Sequence, residues 1–341
     1  MGRRRLSCVP GGTMQIYENI LQTTGNTPLV RLSRFHPKGA TLAAKIEYFN
    51  PGASNKDRIG MALIEAGERQ GLLKPGGTIV EPTSGNTGLA LAMAAALKGY
   101  KLVCTAPDKI SKEKTSLLRA FGAEIITCPT SVAADDPRSY YKVAERIRDE
   151  RGAYLPNQYQ NPANPLAHYS STGPEIWKQT EGRVTHWVAG VGTGGTIGGT
   201  AKYLKEQNPA IRVIGVDTVG SIYAYYRAEG KLPPADQIHQ YLIDGIGEDF
   251  LPSTVWWDYI DEIITVDDKA AYRAVFELAR KEAILGGSSA GAAAVAARRV
   301  AETAPDDAIV VTLFPDSGER YLSKLNPDWL REKGLLEDGM F

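Results

Sequence analysis

The chain of 341 residues has no excess of either charge: 39 Lys and Arg stand against 39 Asp and Glu. No global field therefore draws it to nucleic acid or to an anionic membrane, and the expected partners are small molecules. Cysteine is scarce. The three residues Cys8, Cys104 and Cys128 are odd in number and far apart, which excludes a disulfide framework using all of them and fits a reducing cytoplasm. Cys104, inside the strand-like run Lys101–Thr105, reads as a small buried apolar residue rather than a nucleophile. No apolar run reaches the length of a membrane span, and the first ten residues lack an apolar stretch before the Pro10-Gly11-Gly12 break. Residues 1–13 are expected to form a disordered leader, with Met14 as an alternative start. Low-complexity tracts are also missing. What the chain does have is glycine, 35 residues, gathered in short loops between apolar runs as in α/β proteins with ligand-binding turns.

The order of apolar runs predicts the fold class. After a short helix at Tyr17–Leu21 and strands at Leu29–Leu32 and Thr41–Tyr48, helix and strand alternate: helix Arg58–Gln70, strand at Thr78, helix at Leu89, strand Lys101–Thr105, helix Lys112–Phe121, strand Glu124–Thr127, helix Tyr140–Arg151. Such alternation means an α/β protein with mostly parallel sheets covered by helices on both faces. At this length two such domains are expected. The Pro/Asn-rich stretch Pro156–Pro165 reads as the boundary, and a second series follows with helix Ala167–Gln179, strand His186–Val191, helix Ile197–Glu206 and strand Arg212–Asp217. Tyr223–Gln240 is polar and reads as a mobile surface segment. Strands at Glu262–Val266 and Ala308–Phe314, with helices at Lys269–Glu282, after Ser289 and from Ser317, complete it. The predicted division gives a smaller domain of residues 45–160 and a larger one of 14–44 with 161–336. Trp329–Leu336 reads as a short cap, and no appended regulatory module is expected.

Two loops and one lysine carry the chemistry. Glu81-Pro82-Thr83-Ser84-Gly85-Asn86-Thr87-Gly88 lies between a strand and a helix, where α/β sheets bind ligands. Backbone N–H groups, the hydroxyls of Thr83, Ser84 and Thr87 and the Asn86 amide would converge there on a carboxylate or phosphate. Gly192-Thr193-Gly194-Gly195-Thr196 also follows a strand and opens a helix, an arrangement that wraps an anion in amides. A dinucleotide fingerprint needs glycine where this chain has Ile197, and no Gly-Lys-Ser/Thr ending is present, so a single phosphate remains. Lys56, in the loop Asn50-Pro51-Gly52-Ala53-Ser54-Asn55-Lys56-Asp57-Arg58, supplies an amine. One phosphate and one amine suggest pyridoxal phosphate held by a lysine as a Schiff base.

These motifs resemble those of fold-type II pyridoxal-phosphate enzymes, specifically the cystathionine β-synthase and O-acetylserine sulfhydrylase (cysteine synthase) group, over roughly Tyr17–Leu336. The resemblance implies a tryptophan-synthase-β-like fold and a homodimer, for which Trp256, Trp257 and Tyr259 would suit the interface. It makes Lys56, in Ser-x-Lys-Asp-Arg, the Schiff-base lysine and general base. Asn86 would bond the ring hydroxyl, and Gly192, Thr193, Gly194, Gly195 and Thr196 would hold the phosphate. Ser289, in Gly287-Ser288-Ser289-Ala290-Gly291, would face the pyridine nitrogen, where a hydroxyl leaves the ring a weaker electron sink than a carboxylate would. Thr83, Ser84, Gly85, Asn86, Thr87, Gln158 and Gly245 would bind substrate. The implied reaction is β-replacement, in which a β-substituent leaves and a thiol adds to an enzyme-bound aminoacrylate.

Lys109–Lys114, Asp136-Pro137-Arg138-Ser139, Gly245-Ile246-Gly247-x-Asp249-Phe250 and Pro315-Asp316-Ser317 resemble the synthases, which join serine to homocysteine. Gly318-Glu319-Arg320-Tyr321-Leu322-Ser323 resembles the sulfhydrylases, which make cysteine from O-acetylserine and sulfide. Glu248 stands where the synthases carry tyrosine, and Asn55 before the lysine is unusual. The competing readings are a serine/threonine dehydratase and a non-catalytic anion-binding module, the latter having no need of Lys56. The arm before His36 has no histidine to join Cys8, so a haem-binding arm is not expected.

Overall fold

Runs of five to seven β-branched and aliphatic residues, bounded by glycine or turn residues, become the strands, and the amphipathic runs between them become the helices. The computed structural model describes residues 16–341 except 84, 109, 111, 130, 133, 134, 337–339 and 341, and leaves the side chains at 112 and 113 aside. The predicted leader with Cys8, the candidate Ser84, and Lys109 and Ser111 of the synthase-like segment thus lie outside the described residues.

In chain order the elements are β1 (Leu29–Arg31), β2 (Thr41–Ile46), α1 (Asp57–Arg69), β3 (Thr78–Pro82), α2 (Asn86–Lys98), β4 (Lys101–Pro107), α3 (Lys112–Ala120), β5 (Glu124–Cys128) and α4 (Tyr140–Arg151). There follow α5 (Ala163–Ser170), α6 (Thr172–Gln179), β6 (His186–Gly190), α7 (Gly195–Gln207), β7 (Arg212–Thr218), α8 (Tyr223–Glu229) and β8 (Glu262–Val266). The last are α9 (Asp268–Glu282), α10 (Ser288–Thr303), β9 (Ile309–Phe314) and α11 (Pro327–Glu332). One sheet has six strands in the order β1-β2-β9-β6-β7-β8, the other three in the order β3-β4-β5. Every pairing is parallel except β1 with β2. The α/β class with helix-covered, mostly parallel sheets is therefore as the sequence predicts.

Alternation along each strand sends side chains to two cores. From the six-stranded sheet Val188, Ile214 and Val310 pack with Ala271, Ala274 and Leu278 of α9 and the alanines of α10. Their neighbours Trp187, Val213 and Val311 pack on the opposite face with Ile176 of α6 and Ile197, Ala201 and Leu204 of α7. The three-stranded sheet does the same: Ile79, Leu102 and Cys104 meet α1 and α2, whereas Val80, Val103 and Cys128 meet α4. Cys104 is free and buried, and burial pushes its thiol up to about 12, so it is the inert apolar residue expected.

Three local expectations are corrected. The helix predicted over Ala167–Gln179 is two helices that break at Ser171 (φ −130°, ψ −67°). Pro174 cannot donate to the turn before it, and the Ser170 and Ser171 hydroxyls bond the carbonyls of Leu166 and Ala167 instead. Tyr223–Gln240 is not wholly a mobile surface segment. The buried Asp217 carboxylate accepts from the Ala224 N–H and starts α8, and Tyr223 is buried with its hydroxyl donating to the Gly192 carbonyl at 2.5 Å. Finally, β2 reaches Ile46 within the six-stranded sheet, two residues past the predicted division at 44/45. No helix among the described residues is long and apolar enough to cross a membrane.

The two sheets are tied by a buried ionic cluster. Arg58, in the first turn of α1, donates Nε and Nη2 to the two carboxylate oxygens of Glu47 at 2.6 and 2.8 Å, and Nη1 and Nη2 to those of Glu175 on α6 at 2.8 and 2.9 Å. Lys45 of β2 pairs with Glu175 at 2.7 Å. Burial pushes both glutamates up, but Arg58 and Lys45 outweigh it: Glu47 lies below its ordinary value and Glu175 falls to about 2. Depressed carboxylates stabilise the fold above their unfolded pKa and lose that contribution as pH falls through the folded one. Stability is therefore expected to fall between pH 4.5 and about 2, with a shallower acid limb for Glu175→Gln. Arg58→Met strands the buried Glu47 carboxylate and leaves Glu175 to Lys45 alone, and should cost about 3–5 kcal/mol, read from urea unfolding at neutral pH.

Candidate functional site

The site is built where helices begin. Lys56 immediately precedes α1 and is the residue from which that helix starts. Its ammonium donates to Asn55 Oδ1 at 3.1 Å, and Asn55 Nδ2 donates to Thr196 Oγ1 at 3.0 Å. Asn55, which the sequence marked only as unusual, thus joins the lysine to the second glycine loop. Burial lowers the Lys56 pKa, with Asp316 and Glu47 opposing the shift, so a larger fraction of free amine is available at neutral pH than on an exposed lysine.

The second loop follows β6. Gly194 takes φ +82° and caps α7, and a Cβ there would collide with Val255, so both the backbone conformation and the space require glycine. Asn164 Nδ2 donates to Thr193 Oγ1 at 2.9 Å, and Thr254 Oγ1 donates to the Thr193 carbonyl at 2.6 Å. The loop is thereby braced from outside, leaving the first-turn N–H groups of α7, which have no intrahelical acceptor, to face an anion. Thr196 Oγ1 lies 3.2 Å from His168 Nε2. Burial, with Arg58 adding to it, brings His168 down to about 3, so the imidazole is neutral there.

At the first loop Asn86 opens α2. Its Nδ2 donates to Asp316 Oδ2 at 2.7 Å and its Oδ1 accepts from Arg320 at 2.6 Å. Thr87 Oγ1 donates to Gln158 Oε1 at 2.6 Å, and Gly85 N donates to Thr83 Oγ1 at 3.4 Å. Glu81, the first residue of that stretch, turns away from it. Its two oxygens accept the Asn157 and Gln158 N–H groups at 2.9 and 3.0 Å. Burial lifts its carboxyl to about 7, and its part is to hold Gln158 against Thr87.

One cleft gathers most of the predicted positions: Lys56, Asn86, Gly192, Thr193, Gly194, Thr196, Gly245 and Ser289 all line it. Gly195 sits one step behind the wall as the first residue of α7, while Thr83, Gly85, Thr87 and Gln158 form the adjoining turn outside it. Ser289 is the second residue of α10, and Gly245 takes φ +84°.

Asp316, Arg320 and Tyr321 carry no role in the sequence reading. Asp316 is fully buried in the cleft wall, accepts from Asn86 and from the Tyr321 hydroxyl at 2.6 Å, and has a second oxygen with no partner among the described residues. Burial pushes its carboxyl up. Its setting in Pro315-Asp316-Ser317, directly after the last strand, was the available signal.

A family model described as pyridoxal-phosphate dependent enzyme matches residues 20–316. The chain is 42% identical over 333 residues to a cystathionine beta-synthase of Apis mellifera, covering 96% of this chain and 65% of that protein. It is 42% identical to the cystathionine beta-synthase of Rattus norvegicus, covering 97% of this chain and 59% of that protein. The chain thus spans less than two thirds of the length of these curated relatives. Among solved structures, O-ureido-L-serine synthase superposes with a TM-score of 0.83 at 37% identity, covering 91% of this chain and 94% of that one. The O-acetylserine dependent cystathionine beta-synthase of Helicobacter pylori does so with a TM-score of 0.81 at 39% identity, covering 91% of this chain and 99% of that one. The chain belongs to the pyridoxal-phosphate-dependent enzyme family, with the fold of its fold-type II members and pyridoxal phosphate as its cofactor.

Proposed function

We propose that this protein catalyses a β-replacement that condenses L-serine, or an activated serine, with L-homocysteine to give L-cystathionine. The observation carrying the reading is that a half-buried lysine, a glycine loop opening α7 and Ser289 line a single cleft. The cleft suits the cofactor on its own terms. The turn into α7 admits no side chain at Gly194, which lets backbone amides approach a phosphate closely.

When bound, pyridoxal phosphate supplies an electron-withdrawing ring that labilises the α-proton of an amino acid. Lys56 Nζ would hold the cofactor and, once released, take that proton; its lowered pKa favours the free amine this step needs. Residues Gly192–Thr196 would bind the phosphate, Asn86 the ring hydroxyl and Ser289 the ring nitrogen. Thr83, Ser84, Gly85, Thr87 and Gln158 would seat the substrate carboxylate, with Gly245 beside the amino acid. A hydroxyl at Ser289 cannot hold the ring nitrogen charged as a carboxylate would, which favours loss of a β-substituent over transamination.

The cystathionine product rests on the 42% identity to the synthases of bee and rat. A second reading, cysteine synthesis from O-acetyl-L-serine and sulfide, is favoured by the sulfhydrylase-like segment at Gly318–Ser323, whose Arg320 reaches Asn86. A place in transsulfuration within the cytoplasm, and a homodimer, complete the proposal. For the dimer, Trp257 packs on Tyr223 and Tyr226 and Trp256 on Tyr259, so these rings already serve the monomer and an interface would use their outer edges.

Purified protein should be yellow, and Lys56→Ala should lose both the visible absorbance of the lysine-bound cofactor and all turnover. Gly194→Ala, strained at positive φ and crowded by Val255, should weaken cofactor binding by roughly tenfold or more, given the ~1–3 kcal/mol typical of such strain. Equilibrium titration with pyridoxal phosphate reads that change. Product analysis pairing serine or O-acetylserine with homocysteine or sulfide should give cystathionine as the main thioether. Greatly preferred cysteine formation from O-acetylserine and sulfide would replace the first reading by the second.

A further inference from the structure

Beside the cleft lies a second cavity of different chemistry, whose walls include Tyr140, Tyr141, Tyr241, Glu248 and Asp249. It holds two carboxyl groups, and no lysine or arginine lines it among the described residues. Burial first, and Asp249 beside it second, push the Glu248 carboxyl up to about 8, with a hydrogen bond to Tyr159 opposing them. Such a group gains most from a neighbouring cation. The rings are packed as a unit: Tyr140 and Tyr141 lie 4.1 Å apart between centroids, and Tyr141 and Tyr159 both meet Phe250 edge-on at 6.4 and 5.1 Å. Carboxylates and aromatic faces with no lysine or arginine among them are what an ammonium ion recognises.

One chain segment runs from the cleft into this cavity, and a second passes alongside. Gly245 and Ile246 line the cleft, while Glu248 and Asp249, a few residues on, line the cavity. On the other side Gln158, bonded to Thr87 of the substrate turn, is followed by Tyr159, which bonds Glu248. The Glu248 backbone is fixed as well, its N–H donating to Ser221 Oγ at 3.1 Å and its carbonyl accepting from Ile222 N at 3.2 Å. The carboxyl is thus held on a rigid strap rather than on a free loop.

We infer that this cavity is the subsite for the second substrate, an amino acid bearing a thiol, and that Glu248 pairs with its α-ammonium group. The inference rests on the proposed β-replacement and adds to it the reason a thiol amino acid would be chosen over a simple thiol. The first amino acid is seated by the turn at Thr83–Thr87; the second needs an anion of its own, and Glu248 supplies it.

The test compares homocysteine with 4-sulfanylbutanoic acid, the same thiol without its amine, as acceptors in the holoenzyme and in Glu248→Gln. Wild type should favour homocysteine in kcat/KM by at least about tenfold, the scale of a charge-assisted hydrogen bond. Glu248→Gln should lose that preference through KM for homocysteine, with kcat/KM for the amine-free thiol and KM for the first substrate unchanged. Cofactor absorbance and melting temperature matching wild type establish that the variant is folded. Equal use of the two thiols by wild type, or an equal loss with both in Glu248→Gln, would overturn the subsite while leaving β-replacement standing. Failure of wild type to form a thioether with either acceptor would instead overturn the proposed reaction and the subsite with it.

Discussion

The guanidinium of Arg58 between Glu47 and Glu175 is the contact on which the site geometry depends. Arg58 is two residues beyond Lys56 on the same helix start, Glu47 follows β2, and Glu175 is on α6. One planar group with bidentate geometry to both carboxylates fixes the rotation of α1 about its own axis. The direction in which Lys56 leaves the helix is fixed with it. Because the partners belong to the six-stranded sheet and α1 packs on α2 beside the three-stranded one, the same clamp sets how the amine meets the second loop. A lysine could not replace the arginine there, since a single ammonium cannot address four oxygens in one plane.

The cleft is also where helix starts collect. Lys56 precedes α1, Asn86 opens α2, the glycine loop opens α7 and Ser289 lies in the first turn of α10. Each start carries unsatisfied N–H groups and the positive end of a macrodipole, so the cleft favours anions before any side-chain charge is considered. Parallel strands make this possible, because they deliver every following helix with its N-terminus at the same edge of the sheet. Asp316 answers the accumulated positive potential. Its buried carboxyl, just after β9, takes bonds from Asn86 and Tyr321 and faces Lys56 electrostatically. An uncompensated buried carboxylate is costly; among four helix starts and a lysine part of that cost is offset.

The sequence made the strand-helix order legible because each strand is bounded by glycine or turn residues and each helix carries its own period. Both anion loops were legible for the same reason, since the glycines that permit the turn sit at the strand-helix junction. Less visible were effects that depend on distant partners. Ser170 and Ser171 look helical until Pro174 removes a donor, and Tyr223 looks like surface until Asp217 starts a helix that buries it. Glu81 looks like part of the anion loop because its neighbours are, yet the alternation of a strand sends it to the backbone of Asn157 and Gln158. Asn55 and Arg320 could be read only as departures or likenesses in a motif, because their partners are 141 and 234 residues away.

Arg320 and Asp316 together bear on how the reaction type is separated from the choice of substrate. An asparagine amide can lie either way round, but arginine only donates, so the bond from Arg320 requires the Asn86 oxygen to face it. The amide nitrogen must then face Asp316, and one of its two hydrogens is used in that bond. What Asn86 offers the cleft is a single N–H in a fixed direction, suited to an acceptor on the cofactor and indifferent to which thiol arrives later. None of these three residues lines the tyrosine-walled cavity. On the proposed reading, the residues that would activate the first amino acid differ from those around Glu248, although the strap 245–249 borders both spaces. Substitutions in the cavity wall away from that strap would then change acceptor choice without touching the cofactor cleft.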